Sequence, residues 1–324
     1  MKFFCKRRLA IAMCALAGMT SALGADAFPS KPVRIVVTSA AGGLLDITTR
    51  LVARHMSDKL GQQVIVENRA GAGGLVALRA VKDAPADGYT LLAGVNTIVI
   101  QQVVSKEPGY DIVKDYVGIG PITRSPFLLV ASPGLTDKGL ADILSRAKSN
   151  PGKLTYASAG DGSTTHFAAA LFAQRAGLDL VHVPYKGNAA AWPDVIAGRV
   201  GMIFEPYGSA SPMLREGRLK ALGVTSAKRL EVLPDVPTIA EQGVPSYNFY
   251  LWMGLVAPTG TPKDVVQKLS VALRSVLSIP EVRDRFLSEG SEVMSMSPDE
   301  FSSFLKSETS TLSKLFGDLG LPKQ

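Results

Sequence analysis

The sequence predicts an α/β protein of two lobes, each a mostly parallel sheet flanked by helices. Three observations lead to this prediction. Short runs of β-branched and other apolar residues alternate with stretches whose apolar residues recur at helical spacing. A chain of 324 residues usually divides into more than one hydrophobic core. A glycine-rich turn follows a predicted strand in each half, as expected where strands lead into helices.

The first half of the chain has the order βαβαβ. Strands are predicted at 33–37, 63–69 and 89–95. Between the first two, apolar residues at helical spacing run over 47–60, and Gly61 supplies a stop. A second helix is predicted over 74–84. This order is typical of a parallel sheet wrapped by helices.

The pattern restarts after residue 126. Further strands are predicted at 126–132, 154–160, 180–185, 200–206, 219–226 and 251–258. Helices are predicted at 140–153, 164–177, 190–198, 264–277, 281–288 and 298–319. We expect the chain to cross between lobes near residue 127 and to return near 252. Lobe 1 would then comprise residues 28–126 and 253–324, and lobe 2 residues 127–252.

Residues 1–27 have the features of a secretory signal peptide. A positive head precedes an apolar run that is too short to span a bilayer. The small-x-small sequence Ala25-Asp26-Ala27 follows. We predict cleavage after Ala27, with Ala25 as the alternative, and a periplasmic location. An N-terminal anchor helix is the competing interpretation.

Removal of this leader changes the composition of the chain. Both cysteines lie within it, so we expect neither disulfides nor thiol chemistry in the remainder. Four Lys and Arg residues and one Asp also lie there, so the net charge falls from +7 to +4. A charge of that size does not predict a nucleic-acid partner. No later stretch is apolar for long enough to span a membrane, which favours a soluble protein.

Two glycine-rich turns are the candidate ligand-binding loops. In "TSAAGGLLD" (38–46), the small residues Ala40, Ala41, Gly42 and Gly43 would let an anion approach unpaired backbone N–H groups at a helix start. Asp46 would either cap those groups or accept a ligand donor. "YASAGDGSTTH" (156–166) is the counterpart in the second half. Turns of this kind also occur in α/β folds without binding anything.

Two motifs suggest catalysis but fit other roles better. Gly71-x-Gly73-x-x-Val76 is an imperfect dinucleotide fingerprint, and we interpret it as a turn that allows close helix–strand packing. Ser163 and His166 suggest a hydrolase, but G-x-S-x-G is absent. We interpret Ser163 as a helix N-cap and His166 as an exposed neighbour. No catalytic residues are therefore predicted.

The histidines do not form a recognisable metal motif. His55, His166 and His182 are far apart in the sequence, with no HxH or HExxH spacing. We accordingly predict no metal ligands and no cofactor.

Several stretches together resemble the Bug family, the substrate-binding proteins of tripartite tricarboxylate transporters. They are "FPSKPVRIVVTSAAGGLLD", "VENRAGAGGLVA", "DAPADGYTLL", "VPYKGNAAA" and "LPDVPTIAEQGVP". The resemblance covers residues 28 to about 320. It implies a two-lobed Venus-flytrap fold of the type II periplasmic-binding class, with a small carboxylate in the cleft. The expected ligands are di- or tricarboxylates, acidic amino acids or aromatic acids.

The resemblance also implies a set of ligand-binding residues, carried over position by position. They lie in the first turn, after the third strand, in the second turn, in the "VPYKG" loop and after "VGMIF". They are Ala40, Ala41, Gly42, Gly43, Asp46, Val95, Asn96, Thr97, Ser158, Gly160, Asp161, Ser163, Thr164, His166, Tyr185, Lys186, Gly187, Glu205 and Pro206.

The chain departs from the family pattern at several positions. Leu44 and Leu45 make the first turn more apolar, Gly201 stands where the family usually has aspartate, and Glu205 brings a carboxylate towards the cleft. These differences hint at a larger, less charged or amino-bearing acid. The resemblance implies a monomer that delivers its ligand to the membrane subunits of the transporter. Presentation to a sensor kinase is the alternative.

Overall fold

The computed structural model describes residues 28–137, 139–320 and 323. The predicted signal peptide lies outside the described residues. Within them the chain forms ten strands and ten helices. The strands are β1 (Val33–Val37), β2 (Val64–Asn68), β3 (Thr90–Val95), β4 (Tyr116–Ala131), β5 (Thr155–Ser158), β6 (Val181–Pro184), β7 (Met202–Pro206), β8 (Lys220–Val224), β9 (Tyr250–Pro258) and β10 (Glu292–Val293). The helices are α1 (Leu44–Leu60), α2 (Leu75–Lys82), α3 (Thr97–Val104), α4 (Leu140–Ser149), α5 (Thr164–Ala176), α6 (Asn188–Ile196), α7 (Tyr207–Arg215), α8 (Lys263–Leu277), α9 (Pro280–Ser288) and α10 (Pro298–Asp318).

The strands pair in the order β2-β1-β3-β9-β4-β7-β5-β6, and β8 and β10 also pair with β4. The first strand group, β2, β1 and β3, is parallel, and β9 joins it antiparallel. The second strand group, β7, β5 and β6, is parallel as well. Strand β4 pairs antiparallel with β7, and β8 pairs antiparallel with β4. The predicted α/β class is confirmed, with mixed sheets where β4 and β9 enter.

Strand β4 belongs to both strand groups. It pairs with β9 from Tyr116 to Pro126, and with β7 from Phe127 onward. Its 16 residues are almost entirely buried. The change of partner falls where the sequence suggests the first lobe boundary, and the lobe boundaries themselves stay predictions.

Most elements lie where the periodicity predicts them, with four exceptions. The smallest is the two-residue strand β10, which was not predicted. Strand β4 begins at Tyr116, ten residues before the predicted strand. Helix α3 occupies Thr97–Val104, which the sequence analysis treats as a loop. Helix α7 follows β7 in the same way, where a loop was expected. In both cases a helix begins directly at the end of a strand, so the predicted loop is only the helix start.

Helix α5 connects distant parts of the molecule. Ser163 is its N-cap, and the Ser163 Oγ accepts the backbone N–H of His166 at 3.2 Å. One turn later, Phe167 stacks on Phe316 of α10, with ring centroids 6.4 Å apart. The hydroxyl of Tyr247 donates to the carbonyl of Ala168 at 2.8 Å. The start of α5 is thereby fixed to the last turns of the C-terminal helix.

Helix α10 closes over the long strands. A capping box fixes its start, since Ser297 Oγ accepts the Glu300 N–H and the Glu300 carboxylate accepts the Ser297 N–H. Phe301, fully buried, packs edge-on against Trp252 of β9, with centroids 6.0 Å apart. Gly254, two residues along the strand, leaves room for that ring.

Replacement of Gly254 by alanine should destabilise the fold by about 1–3 kcal/mol, because the new Cβ would collide with the Phe301 ring. Denaturant unfolding measures the change. Gly317→Ala is the matched control, because a Cβ there meets no atom within 4 Å and the residue lies inside α10. That variant should be neutral or slightly more stable. Equal stability of the two variants would contradict the packing argument.

Candidate ligand-binding site

The carboxyl ends of β1, β2 and β3 and that of β5 meet at one cavity of about 860 Å³, here called the tip cavity. Open α/β sheets commonly bind ligands at such strand ends. The first strand group and its helices contribute most of the wall, and the β5–α5 turn closes the other side. The lining residues are Thr38, Ser39, Leu45, Gly71, Ala72, Gly73, Gly74, Leu75, Val95, Thr97, Gln101, Ser105, Lys106, Glu107, Ala159, Asp161 and Ser163.

The β1–α1 turn lies at the edge of the tip cavity. Ala40, Ala41, Gly42 and Gly43 are exposed, and the residues on either side of them, Ser39 and Leu45, line the cavity. Gly42 has a φ of 82°, which favours glycine. The turn is therefore placed to approach a ligand, although its alanines and glycines do not themselves form the cavity wall.

Asp46 holds this turn in shape. Its buried carboxylate accepts the Gly42 N–H at 2.8 Å, the Asn68 amide at 2.9 Å and the Arg50 Nε at 2.9 Å. Of the two roles that the sequence allowed, capping is therefore the one observed. Because it already accepts three hydrogen bonds, the Asp46 carboxylate stabilises the turn that borders the site.

Two hydroxyl groups near the cavity are buried without a hydrogen-bond partner among the described residues. They are Ser39 Oγ and Thr164 Oγ1. Ser39 lines the tip cavity in the first turn, and Thr164 follows Ser163, which lines it from the second turn. Buried polar groups normally have a partner, so each hydroxyl has an unused hydrogen bond, one on a lining residue and one on the residue next to a lining residue.

Glycine is required in the β5–α5 turn for steric reasons. Gly160 has a φ of 117°, and a Cβ there would lie 3.1 Å from the Tyr185 carbonyl oxygen. The close approach joins the β5–α5 turn to the β6–α6 loop. Ser163 caps α5 as predicted, and its side chain also lies 3.2 Å from Thr165 Oγ1.

The expectation that His166 is exposed is wrong. Only 6% of its surface is accessible, because its ring stacks on His182 with centroids 4.0 Å apart. Tyr156 also stacks on His182, with ring centroids 4.9 Å apart. Burial and the neighbouring His182 lower the pKa of His166 to about 4. Burial also lowers the pKa of His182, against the opposing charge of Asp161.

The side chains of Ser163 and His166 do not form a nucleophile–base pair. Ser163 Oγ binds the backbone of His166, whereas the His166 ring accepts the N–H of Gly162 at 3.2 Å. Ser158 does meet His182, with Oγ 2.6 Å from Nε2, but Ser158 is fully buried. A substrate carbonyl has no access to that hydroxyl, so the geometry gives the hydrolase alternative no support.

The β6–α6 loop supplies side chains that are engaged within the second strand group. The Tyr185 hydroxyl donates to Asp194 at 2.5 Å, and Arg199 pairs with the same carboxyl group. Lys186 is exposed at the tip of the loop. Neither lines the tip cavity, so their predicted ligand contacts stay predictions.

Glu205 is buried at the end of β7, beneath the start of α6. Its Oε2 accepts the Asn188 amide at 2.7 Å and the Trp192 indole N–H at 3.3 Å. Burial raises the pKa of Glu205 to about 7, and the hydrogen bonds from Asn188, Trp192 and Ser209 oppose that rise. The carboxyl group thus titrates near neutral pH.

Asn96 joins β3 to β9. Its Oδ1 accepts the Trp252 N–H at 2.9 Å and its Nδ2 donates to the Tyr250 carbonyl at 2.9 Å. The residue lines a second cavity of about 580 Å³ between α5 and α10, while its neighbour Thr97 lines the tip cavity. The two residues predicted after the third strand therefore face different spaces.

Several residues that line the tip cavity were not predicted from the sequence to bind a ligand. The "RAGAGG" turn was predicted to serve close packing, and it does: a Cβ at Gly73 would lie 2.5 Å from Gln101, and one at Gly74 would lie 3.2 Å from Thr38. The same turn also lines the tip cavity, through Gly71 to Leu75. The parallel pairing of β1 with β2 could have indicated this role, because it places the turns that follow the two strands side by side.

The chain belongs to the TctC family. The family model described as "Tripartite tricarboxylate transporter family receptor" matches residues 48–321. This is a family of solute-binding receptors and not of enzymes. The predicted resemblance to Bug proteins is confirmed.

Solved structures agree with this assignment. The chain is 32% identical to periplasmic binding protein BugD, with a TM-score of 0.82 over 92% of this chain and 100% of that one. It is 33% identical to Rpa4515 of R. palustris with adipate, with a TM-score of 0.84 over 91% and 99%. It is 32% identical to MatC of Rhodopseudomonas palustris with bound malate, with a TM-score of 0.80 over 89% and 99%. The predicted periplasmic-binding-protein fold is confirmed.

None of the helices in the described ranges is long and apolar enough to cross a membrane.

Replacement of Glu205 by glutamine should change how stability depends on pH. Because the folded-state pKa of about 7 exceeds the ordinary value of 4.5, the stabilising contribution is complete below pH 4.5 and is lost as pH rises through 7. Glu205→Gln lacks this loss, so between pH 4.5 and pH 8 its stability should gain about 3 kcal/mol relative to the wild type. Denaturant unfolding from pH 4.5 to 8 measures this.

Glu216→Gln is the control for that experiment. Its carboxylate is exposed and lies 3.4 Å from Arg218, so this change should leave the pH profile as in the wild type. A wild-type profile that is already flat between pH 5 and 8 would refute the buried-carboxyl argument.

Proposed function

We propose that this protein captures a small dicarboxylate in the tip cavity, between two lobes formed by the two strand groups. The observation that carries the proposal is the pair of buried hydroxyls without partners, Ser39 Oγ and Thr164 Oγ1, one from each strand group. A ligand with an acceptor at each end would satisfy both and hold the lobes together. Hydroxyl donors and backbone N–H groups can bind a carboxylate without an arginine.

The charges in the cavity wall fit a ligand held by directed hydrogen bonds. Lys106 is the cation of the lining, and Glu107 and Asp161 are its acids. Leu45, Leu75 and Val95 add apolar surface that suits a short methylene chain. Relatives that hold adipate and malate support this ligand class.

The protein would act outside the cytoplasm. The leader-like residues 1–27 and the receptor family support export to the periplasm. The receptor would pass its ligand to the membrane subunits of a tripartite tricarboxylate transporter, as the family description suggests.

Ligand binding is tested first with adipate and malate on the purified protein. Ligand at about 100 times its Kd should stabilise the fold by about 2.7 kcal/mol, which thermal unfolding detects as a shift of several degrees. Neutral sugars should give no shift. A sugar that binds while all acids fail would refute the carboxylate assignment.

The two hydroxyls are tested by Ser39→Ala and Thr164→Val. Each hydrogen bond to a carboxylate contributes about 1.5–3 kcal/mol, so each variant should weaken the acid's Kd by roughly 10–100-fold in calorimetric titration. Ser270→Ala is the matched control, because Ser270 Oγ is also buried without a partner but lies in α8. Its Kd should be unchanged. Wild-type affinity in both test variants would contradict the proposed contacts.

A further inference from the structure

Three potential metal ligands from separate segments converge beside the tip cavity. Asp161 lies in the β5–α5 turn, His166 in the first turns of α5 and His182 in β6. One ligand atom from each lies within 4.8 Å of the other two. The sequence analysis expected no such cluster, because 16 positions separate the two histidines in the sequence. Strand β6 pairs with β5 in parallel and so brings His182 back to the start of α5.

Contacts with Ser158 hold the His182 ring beside Asp161. The Ser158 hydroxyl donates to the Gly160 carbonyl at 3.1 Å and accepts the Gly160 N–H at 3.0 Å. Its Oγ also lies 2.6 Å from His182 Nε2, and the tautomer of the ring sets which of the two atoms donates. In the tautomer protonated at Nε2, His182 Nδ1 has a lone pair 3.4 Å from Asp161 Oδ1.

His166 has one unprotonated nitrogen. Its Nδ1 accepts the N–H of Gly162 at 3.2 Å, so an ion bound to this nitrogen would take the place of that N–H. Neutral imidazoles and a carboxylate are the forms that bind metal ions.

We propose that Asp161, His166 and His182 form a binding site for a divalent ion of the zinc type. Two imidazole nitrogens and a carboxylate oxygen are a ligand set that zinc uses when it keeps a coordination position open. Ser158 would be the outer partner that fixes the His182 ring, in the manner typical of zinc-bound histidines. Asp161 lines the tip cavity, so the open position would face the ligand.

Binding would tighten the turn. Zinc–ligand distances of about 2.0–2.2 Å bring ligand atoms to within about 3.5 Å of one another, closer than the 4.8 Å limit found here. The imidazole planes are 15° apart, so the rings must splay to aim at one ion. Asp161 is exposed and lies between Gly160 and Gly162, both with positive φ, so the turn has freedom to move inward.

The ion would alter the charge at the cavity. Asp161 and Glu107 place two negative charges around a ligand that is itself an anion, against Lys106 alone in the lining. A divalent ion bound to Asp161 would make the net charge around the ligand positive. Its open coordination position would then be available to a ligand carboxylate. This consequence rests on the proposed function, whereas the ion site rests on its own geometry.

The first experiment is calorimetric titration of the purified protein, stripped with chelator, with zinc chloride. One ion should bind, and Asp161→Asn should weaken its Kd by at least about tenfold. Loss of a residue that only hydrogen-bonds to a metal ligand already costs about that much affinity, and loss of a direct ligand should cost no less. Asp161 is exposed, so the variant should fold, as circular dichroism will verify. Glu107→Gln is the control, because it removes the other acid of the cavity and should bind zinc as the wild type does.

The histidines are followed by NMR of their imidazole signals in the unaltered protein. Zinc should shift the signals of His166 and His182 and leave those of His55 in place, since His55 lies on α1. No binding, equal binding by Asp161→Asn, or shifts confined to His55 would overturn the ion site.

A third titration separates this proposal from the proposed function. Malate affinity is measured with zinc and with chelator, and zinc should raise it at least about tenfold. Zinc binding with no acid binding in either condition would uphold the ion site and refute the dicarboxylate function. A malate affinity that is the same with zinc and with chelator would refute the coupling between the ion site and the ligand site.

Discussion

Backbone hydrogen bonding along β4 is the constraint on which the rest of the structure depends. The strand pairs with β9 over its first half and with β7 and β8 over its second. The two strand groups therefore share one continuous backbone, and neither can turn without bending it. That common strand brings the turns after β1 and β5 to opposite sides of one cavity. Breaking a buried strand of this length would cost free energy, because its peptide N–H and C=O groups would lose their hydrogen-bond partners.

The sequence predicts those parts of the fold that local pattern dictates. Strands such as β1 and helices such as α1 carry clear periodicity and a glycine stop. Helix α3 was missed because most of "TIVIQQVV" is apolar and buried, so the sequence shows a short apolar run and no exposed polar stripe. Helix α7 was missed because it contains Pro212 and four small residues after Tyr207. The first half of β4 was missed because Gly118, Gly120 and Pro121 interrupt a strand pattern.

The candidate site was predictable to the extent that it depends on turns. Gly160 and Ser163 have roles that their local sequence defines, and they lie where expected. Ser39 and Gln101 reach the cavity only through strand pairing and helix placement, which no local motif reveals. Tyr185 was recognised as polar and close to a turn, but its hydroxyl is taken by Asp194. The chemical type of a site residue can thus be read from the sequence more readily than the direction in which its side chain points.

The contact between α5 and α10 makes this protein well suited to an optical reporter. Phe167, one turn after Ser163, stacks on Phe316 in the last turns of the C-terminal helix, so the two regions are in direct contact. Ser313 is exposed in that region, and both cysteines of the sequence lie within residues 1–27. In the leaderless chain, a cysteine introduced at Ser313 would be the single thiol, so a dye could be attached at one defined position. Such a label would stand well away from the cavity while still sensing its state.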